Sequence, residues 1–147
     1  EMTLGCDFVY ASKTARFALT EVTLGIMPGA CGTQNLPRAV GVRRAKEIIL
    51  TGEPISAEQA YEYGIVNKLC DPESLSEEAL ATAQKICDNA PISIRQAKKS
   101  MGMSQNIDLK SGYMFELEAY NRMVTTEDRV EGILAYNEKR KAQFRGK

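Results

Sequence analysis

Glu1 and Glu21 frame the first stretch of the chain, and a glycine-rich turn, Gly25-Ile26-Met27-Pro28-Gly29-Ala30-Cys31-Gly32, follows directly. Two carboxylates beside backbone amides are the tools of acid–base chemistry: one takes a proton from water, another returns a proton, and amides stabilise developing negative charge. Glu21 lies between Phe17-Ala18-Leu19 and Val22-x-Leu24. A carboxyl group partly removed from water holds its proton to higher pH, which suits such a role. The turn is not a Walker-type phosphate loop, because no Gly-Lys-Ser/Thr follows it. Its ordinary use is to supply unusual backbone angles. Glutamates are most often solvated surface residues, so residue types alone make this pair a candidate.

The totals narrow the chemistry. Histidine is absent, which removes Ser-His-Asp triads, Cys-His pairs and histidine metal sites; no metal centre is expected. The four cysteines, Cys6, Cys31, Cys70 and Cys87, form no Cys-x-x-Cys pair. Their scatter suggests neither a zinc site nor a disulfide framework, and they read as reduced thiols in a cytoplasmic setting. The formal net charge is zero, against the basic excess of nucleic-acid binders and polybasic membrane anchors. No apolar run approaches the ~20 residues that span a bilayer, and no signal-peptide pattern is visible. With 147 residues, 44% hydrophobic and 26% charged, the composition is that of a globular protein with a real core. The basic end, Lys139 to Lys147, reads as solvated charge or as a surface for an anionic ligand such as a nucleotide phosphate.

These groups must be carried by short elements. Residues 1 to 6 suit the tail of a buried helix, 7 to 11 a short strand, and 17 to 19 a second one. Residues 20 to 25 suit a helical turn capped by Thr20 and stopped by Gly25. Thr33 is the expected N-cap of a helix through Val40, with Gly41 as its stop; a second helix covers 42 to 50 and ends at Gly52. Ser56-Ala57-Glu58-Gln59 is a capping box for a short helix closed by Gly64, and 65 to 70 alternates like a strand. Asp71-Pro72 is the best internal boundary, giving regions 1–72 and 73–147. The second is all helical. Ser74-Leu75-Ser76-Glu77 offers a box, Pro91 opens a helix that Gly102 ends, and Tyr113, Met114, Leu117, Tyr120 and Val124 fall in register on a helix over 107–124. Thr125 or Thr126 caps a last helix from Glu127.

The chain resembles the C-terminal half of the enoyl-CoA hydratase/isomerase (crotonase) superfamily. The matches are Cys6-Asp7, Ala15-Arg16-Phe17, Glu21-Val22-x-Leu24-Gly25-Ile26-x-Pro28-Gly29, Gly32-Thr33-Gln34-x-Leu36-Pro37-Arg38 and Val40-Gly41. They continue through Leu50-Thr51-Gly52, Ile55-Ser56-Ala57, Gly64-Ile65-Val66-Asn67, Asn89-Ala90-Pro91, Thr126-Glu127-Asp128, Glu131-Gly132 and Glu138-Lys139-Arg140-Lys141. The resemblance implies an α/β, mostly helical chain: part of a ββα spiral carrying the catalytic glutamates, then a helical region that assembles homotrimers, often paired as hexamers. It implies acyl-CoA thioester substrates, with coenzyme A as part of the substrate and no separate cofactor. Membrane and nucleic acid are not implied partners.

Residue by residue, the resemblance makes Glu1 and Glu21 the two catalytic glutamates of a lyase that adds water to a 2-enoyl-CoA. Gly29 supplies a water-positioning amide, and Tyr136 and Lys139 approach CoA. An enoyl-CoA isomerase of the same family, or a non-enzymatic assembly or binding module, is the alternative. Cys31 stands where the family usually has glycine, Asn35 where it has arginine, and Thr20 where proline is common. The family's oxyanion amides and most of its CoA site belong to segments ahead of the position of Glu1, so this chain by itself is expected to turn over negligibly.

Overall fold

The computed structural model describes all of residues 1–147. Seven α-helices and four short strands follow one another, in two compact units, Glu1–Leu80 and Ala81–Lys147. The division falls inside a helix, Leu75–Cys87 (α4), beyond the Asp71-Pro72 punctuation.

In the first unit the chain starts not with a buried helix but with a short 3-10 turn, Thr3–Gly5, which has no fully buried residue. Strand β1 is Tyr10–Ser12 and pairs in parallel with β4, Lys68–Cys70. The strand expected from residue 7 pairs later because Asn67 meets it there: its side-chain Oδ1 accepts the Val9 N–H at 2.8 Å and its own N–H donates to the Val9 carbonyl at 2.7 Å. Strand β2, Arg16–Phe17, is antiparallel to β3, Ile55–Ser56. Ser56 ends β3 and opens α3, Ala57–Glu62, through the full capping box. Gln59 N–H donates to Ser56 Oγ at 3.2 Å, and Gln59 Oε1 accepts the Ser56 N–H at 3.0 Å.

Helices α1 (Gly32–Val40) and α2 (Val42–Thr51) pack on each other. They meet at Gly41, whose φ of +80° only glycine adopts freely. Each buries one narrow face, Leu36 from α1 and Ala45 with Ile48 from α2. These residues join Ala11, Leu19, Ile55, Ala60, Ile65 and Val66 in one core. Pro37 sits well inside α1, where it removes one helical N–H. Gly52 ends α2 at φ +65°, and a Cβ there would come within 2.9 Å of Thr23 Cγ2. That close approach seats the turn carrying Glu21 against the end of α2.

In the second unit α5, Pro91–Met103, packs on α6, Leu109–Val124. Pro91 occupies the first turn of α5, where its missing N–H costs nothing. Gly102 does not end this helix, which runs on to Met103. Helix α6 is capped by Asp108, which accepts the Ser111 N–H at 3.1 Å. Thr126 caps α7, Glu127–Asn137, accepting the Arg129 N–H at 3.1 Å. At the start of α4 the Ser74 hydroxyl donates to Glu78 Oε1 at 2.8 Å instead of closing the expected box. The apolar register of α6 is as the spacing predicts, but only Ala119 is buried in it; Tyr113, Met114, Leu117 and Tyr120 are exposed.

Candidate functional site

The turn Glu21–Leu24 forms as a 3-10 helix because the Thr20 carbonyl accepts twice, from the Thr23 N–H at 3.0 Å and from the Thr23 hydroxyl at 2.7 Å. The Thr20 side chain makes no capping bond, so the expected cap is supplied by its backbone. Gly25, at φ +77°, stops the turn and sends the chain into the Pro28–Gly32 loop. Pro28 is fully buried and anchors that loop from beneath.

Glu1 closes on the same loop. Its Oε1 accepts the N–H of Ala30 and the N–H of Gly32, both at 2.8 Å. Gly32 is the first residue of α1, so Glu1 satisfies one of the helix's free N-terminal amides from a distant point in the chain. Its charge also lies at the positive end of the helix dipole. This explains why α1 begins ahead of the expected Thr33 cap: the acceptor comes from outside. Cys31 becomes the flanking residue, with its carbonyl accepting from Gln34 and Asn35 at 3.0 and 2.8 Å. It pays for the position with φ +72°. Only this residue and Lys139 adopt such angles without being glycine.

Glu1 also stands at the rim of a cavity of about 40 Å³ walled by Leu4, Phe17, Leu19, Leu36, Ile48 and Ile65. An apolar wall behind a carboxylate keeps its interactions strong. Glu21, half-buried, heads its turn, and its Oε2 is buried with no hydrogen-bond partner. A bare buried carboxylate oxygen is costly and retains full capacity to accept a proton or a hydrogen bond. Gly29 is exposed, and its N–H makes no hydrogen bond within the chain.

Tyr136 and Lys139 lie in the second unit. The structure brings them together at the end of α7, where the Lys139 N–H donates to the Tyr136 carbonyl at 3.3 Å; both side chains are exposed. Beside them is a cluster that residue types alone did not single out. Glu131 accepts a bidentate pair from Arg140, at 2.6 and 2.9 Å, together with the Gln143 N–H at 2.7 Å. Asp128, buried, accepts the N–H groups of Arg145 and Gly146 at 2.7 and 2.8 Å. The signal was the three-residue step from Asp128 to Glu131 on one helix face, followed by a basic end able to fold back. The Arg140 guanidinium holds the Glu131 carboxyl far below the usual carboxylate range, at about 2, and the Gln143 amide adds to the effect. No group of side chains in the chain is arranged to hold a metal ion, and no helix is long and apolar enough to cross a membrane.

The model of the enoyl-CoA hydratase/isomerase family matches residues 1–147. The mitochondrial enoyl-CoA hydratase of Pongo abelii is 42% identical over 145 residues, covering 99% of this chain and 50% of that protein. The 2,3-dehydroadipyl-CoA hydratase of Escherichia coli K12 is 42% identical over 147 residues, covering all of this chain and 58% of that one. The crystal structure of an enoyl-CoA hydratase from Bacillus anthracis superposes with a TM-score of 0.97 at 46% identity, over 98% of this chain and 56% of that one. The chain thus spans about half the length of the relatives it matches.

Proposed function

The chain belongs to the enoyl-CoA hydratase/isomerase family, and on that premise we propose that Glu1 and Glu21 serve the addition of water to the double bond of a 2-enoyl-CoA. One glutamate takes a proton from the water as its oxygen bonds to the β-carbon; the other delivers a proton to the α-carbon, so the reaction is balanced without a redox cofactor. The observation that carries this reading is the shared turn. One carboxylate is gripped by the amides of Ala30 and Gly32, the other keeps a bare buried oxygen, and the free Gly29 N–H lies on the same loop to hold the water. Coenzyme A enters as part of the substrate, with Tyr136 and Lys139 as its contacts.

The amides of Ala30 and Gly32 are committed to Glu1, so they are not the donors that hold the thioester oxygen as the enolate-like intermediate forms. One such donor is worth about 100- to 1000-fold in rate. The decisive test replaces the matching segment of the Bacillus anthracis enzyme with this chain and follows 2-enoyl-CoA and 3-enoyl-CoA by product analysis. Formation of 3-hydroxyacyl-CoA from the 2-enoyl substrate supports hydration. A folded chimera that only shifts the double bond of the 3-enoyl substrate makes the site an isomerase instead. The exposed apolar face of α6 supports a homo-oligomer, trimer or hexamer, as the working assembly.

A further inference from the structure

Helix α7 ends in a paired-hydrogen-bond cap. The Arg140 N–H returns to the Ala135 carbonyl at 3.0 Å and the Lys139 N–H to the Tyr136 carbonyl at 3.3 Å. This pattern puts the intervening residue in the left-handed region, where glycine is the usual occupant. After α2 the chain places glycine in that region, with Gly52 at φ +65° and ψ +12°. After α7 it places a lysine there, at φ +56°. A basic residue near a helix C-terminus gains from the dipole, but it gains as much one turn earlier without backbone strain. A strained non-glycine residue persists when its surroundings over-determine it.

Here the surroundings are ionic. Arg140 Nη1 and Nη2 fork onto Glu131, and its Nε donates to Glu138 Oε2 at 2.6 Å. The residues on both sides of Lys139 are thus joined to each other, and Arg140 is bound back to the body of α7. Lys139 itself is exposed and makes no ion pair. The Arg140 guanidinium is occupied by Glu131 and Glu138, whereas the Lys139 ammonium beside it is free to meet a ligand.

We propose that Glu131 and Arg140 are positioning residues for CoA recognition, a clamp that holds Lys139 in the left-handed cap and presents its ammonium to a phosphate of CoA. The proposal rests on the reading of Lys139 as a CoA contact, and its test separates the two. The 147-residue chain is used for the coupling and its chimera with the Bacillus anthracis enzyme for binding, each with Glu131→Gln, which keeps an acceptor for the Gln143 amide while weakening the fork, and Arg140→Lys as a second route to the same loss. Two quantities are read: the Lys139 HN–Hα scalar coupling by NMR, which reports φ, and the affinity for coenzyme A and for adenosine 3′,5′-bisphosphate by calorimetry.

The expected result is that both variants lose the left-handed coupling and weaken CoA by about fivefold, the loss of one exposed ion pair. Lys139→Ala should weaken CoA equally, and the Glu131→Gln/Lys139→Ala double variant no further, because the first acts through the second. Lys139→Gly should melt higher than wild type yet bind CoA as weakly as Lys139→Ala. An unchanged coupling in both clamp variants overturns the proposal, as do losses that multiply in the double variant. A chimera in which Lys139→Ala binds both probes as tightly as the parent overturns the CoA reading and the ligand half of the proposal, while the coupling still passes or fails the clamp by itself.

Discussion

Gly32 meets Glu1 twice at one oxygen: its amide donates to Oε1 at 2.8 Å, and a Cβ on Gly32 would stand 2.7 Å from that same atom. The hydrogen bond and the missing side chain are one requirement. Gly32→Ala also presses on Pro28, whose Cβ would lie 3.0 Å away. The fully buried Pro28 has little room to yield. Overpacking of this kind costs about 1–3 kcal/mol, so urea denaturation of the variant should show a loss in that range. Hydration by the chimera should fall with it because Glu1 is displaced. An unaltered midpoint would mean the loop yields freely and does not fix Glu1.

The two glutamates should respond differently to the same pair of substitutions. Glu1→Gln keeps an oxygen for the Ala30 and Gly32 amides, so it should leave stability nearly unchanged while lowering turnover by about 10²–10⁴-fold. Glu1→Ala strands both amides and should lose stability as well as turnover. At Glu21 the Oε2 atom has no partner to lose, so Glu21→Gln should keep or raise the melting temperature while lowering turnover by a similar factor. Full activity of either Gln variant in the chimera would remove that residue from the acid–base pair.

Much of this arrangement is legible in the sequence because it is local. The Ser56–Gln59 box, the Gly41 and Gly52 stops and the Thr126 cap depend on residues within one turn, and each is found where spacing places it. What spacing does not show is the long-range partner. The start of α1 depends on Glu1, the start of β1 pairing depends on Asn67, and the folding-back of the basic end depends on Asp128 and Glu131. In each case a side chain far along the sequence satisfies a backbone group that local rules assign elsewhere. The amphipathic register of α6 is legible, but period alone does not say what covers the face.

Cys31 occupies a left-handed position, φ +72°, that glycine adopts without a steric penalty. A side chain there costs about 1–2 kcal/mol, partly offset by the freedom glycine adds to the unfolded chain. Cys31→Gly should therefore stabilise the chain by roughly 0.5–1 kcal/mol, and Cys31→Val should destabilise it. Thermal melts of the three proteins side by side check the order, and a Gly variant less stable than wild type contradicts it.

The Glu131–Arg140 clamp sets a pH dependence of known sign. Arg140 lowers the folded-state pKa of Glu131 to about 2, so in acid the unfolded chain takes up the proton first. The stabilisation is complete above the ordinary carboxylate range and is lost as pH falls through it toward about 2. Lys141 likewise lowers the pKa of Asp88, adding to the same acid sensitivity. Exchange of the Gln143 amide, which Glu131 accepts at 2.7 Å, should remain protected through mildly acidic pH and open toward pH 2. In Glu131→Gln that transition should disappear. Protection of Gln143 in the wild type that is insensitive to pH across this window would mean the carboxylate charge is not what holds the tail.

The apolar face of α6 gives the last expectation. Tyr113, Leu117 and Tyr120 recur at the helical period and are 63%, 55% and 55% exposed. Val130 and Ile133 of α7 are also exposed, at 55% and 50%. Within the second unit the buried apolar residues are small, Ala119 and Ala135. A helical unit with its large side chains outside lacks the burial that offsets the entropy of ordering, and the homo-oligomer proposed above would supply that cover. Leu117→Asp with Tyr120→Asp places two charges in the centre of that face, where desolvation opposes association. Light scattering should give a closed homo-oligomer for the wild type and a monomer for the double variant, with a lower melting temperature that no longer rises with protein concentration. A wild-type chain that is monomeric at every concentration, with a melting temperature equal to that of the variant, would show that the face of α6 is not a self-association surface.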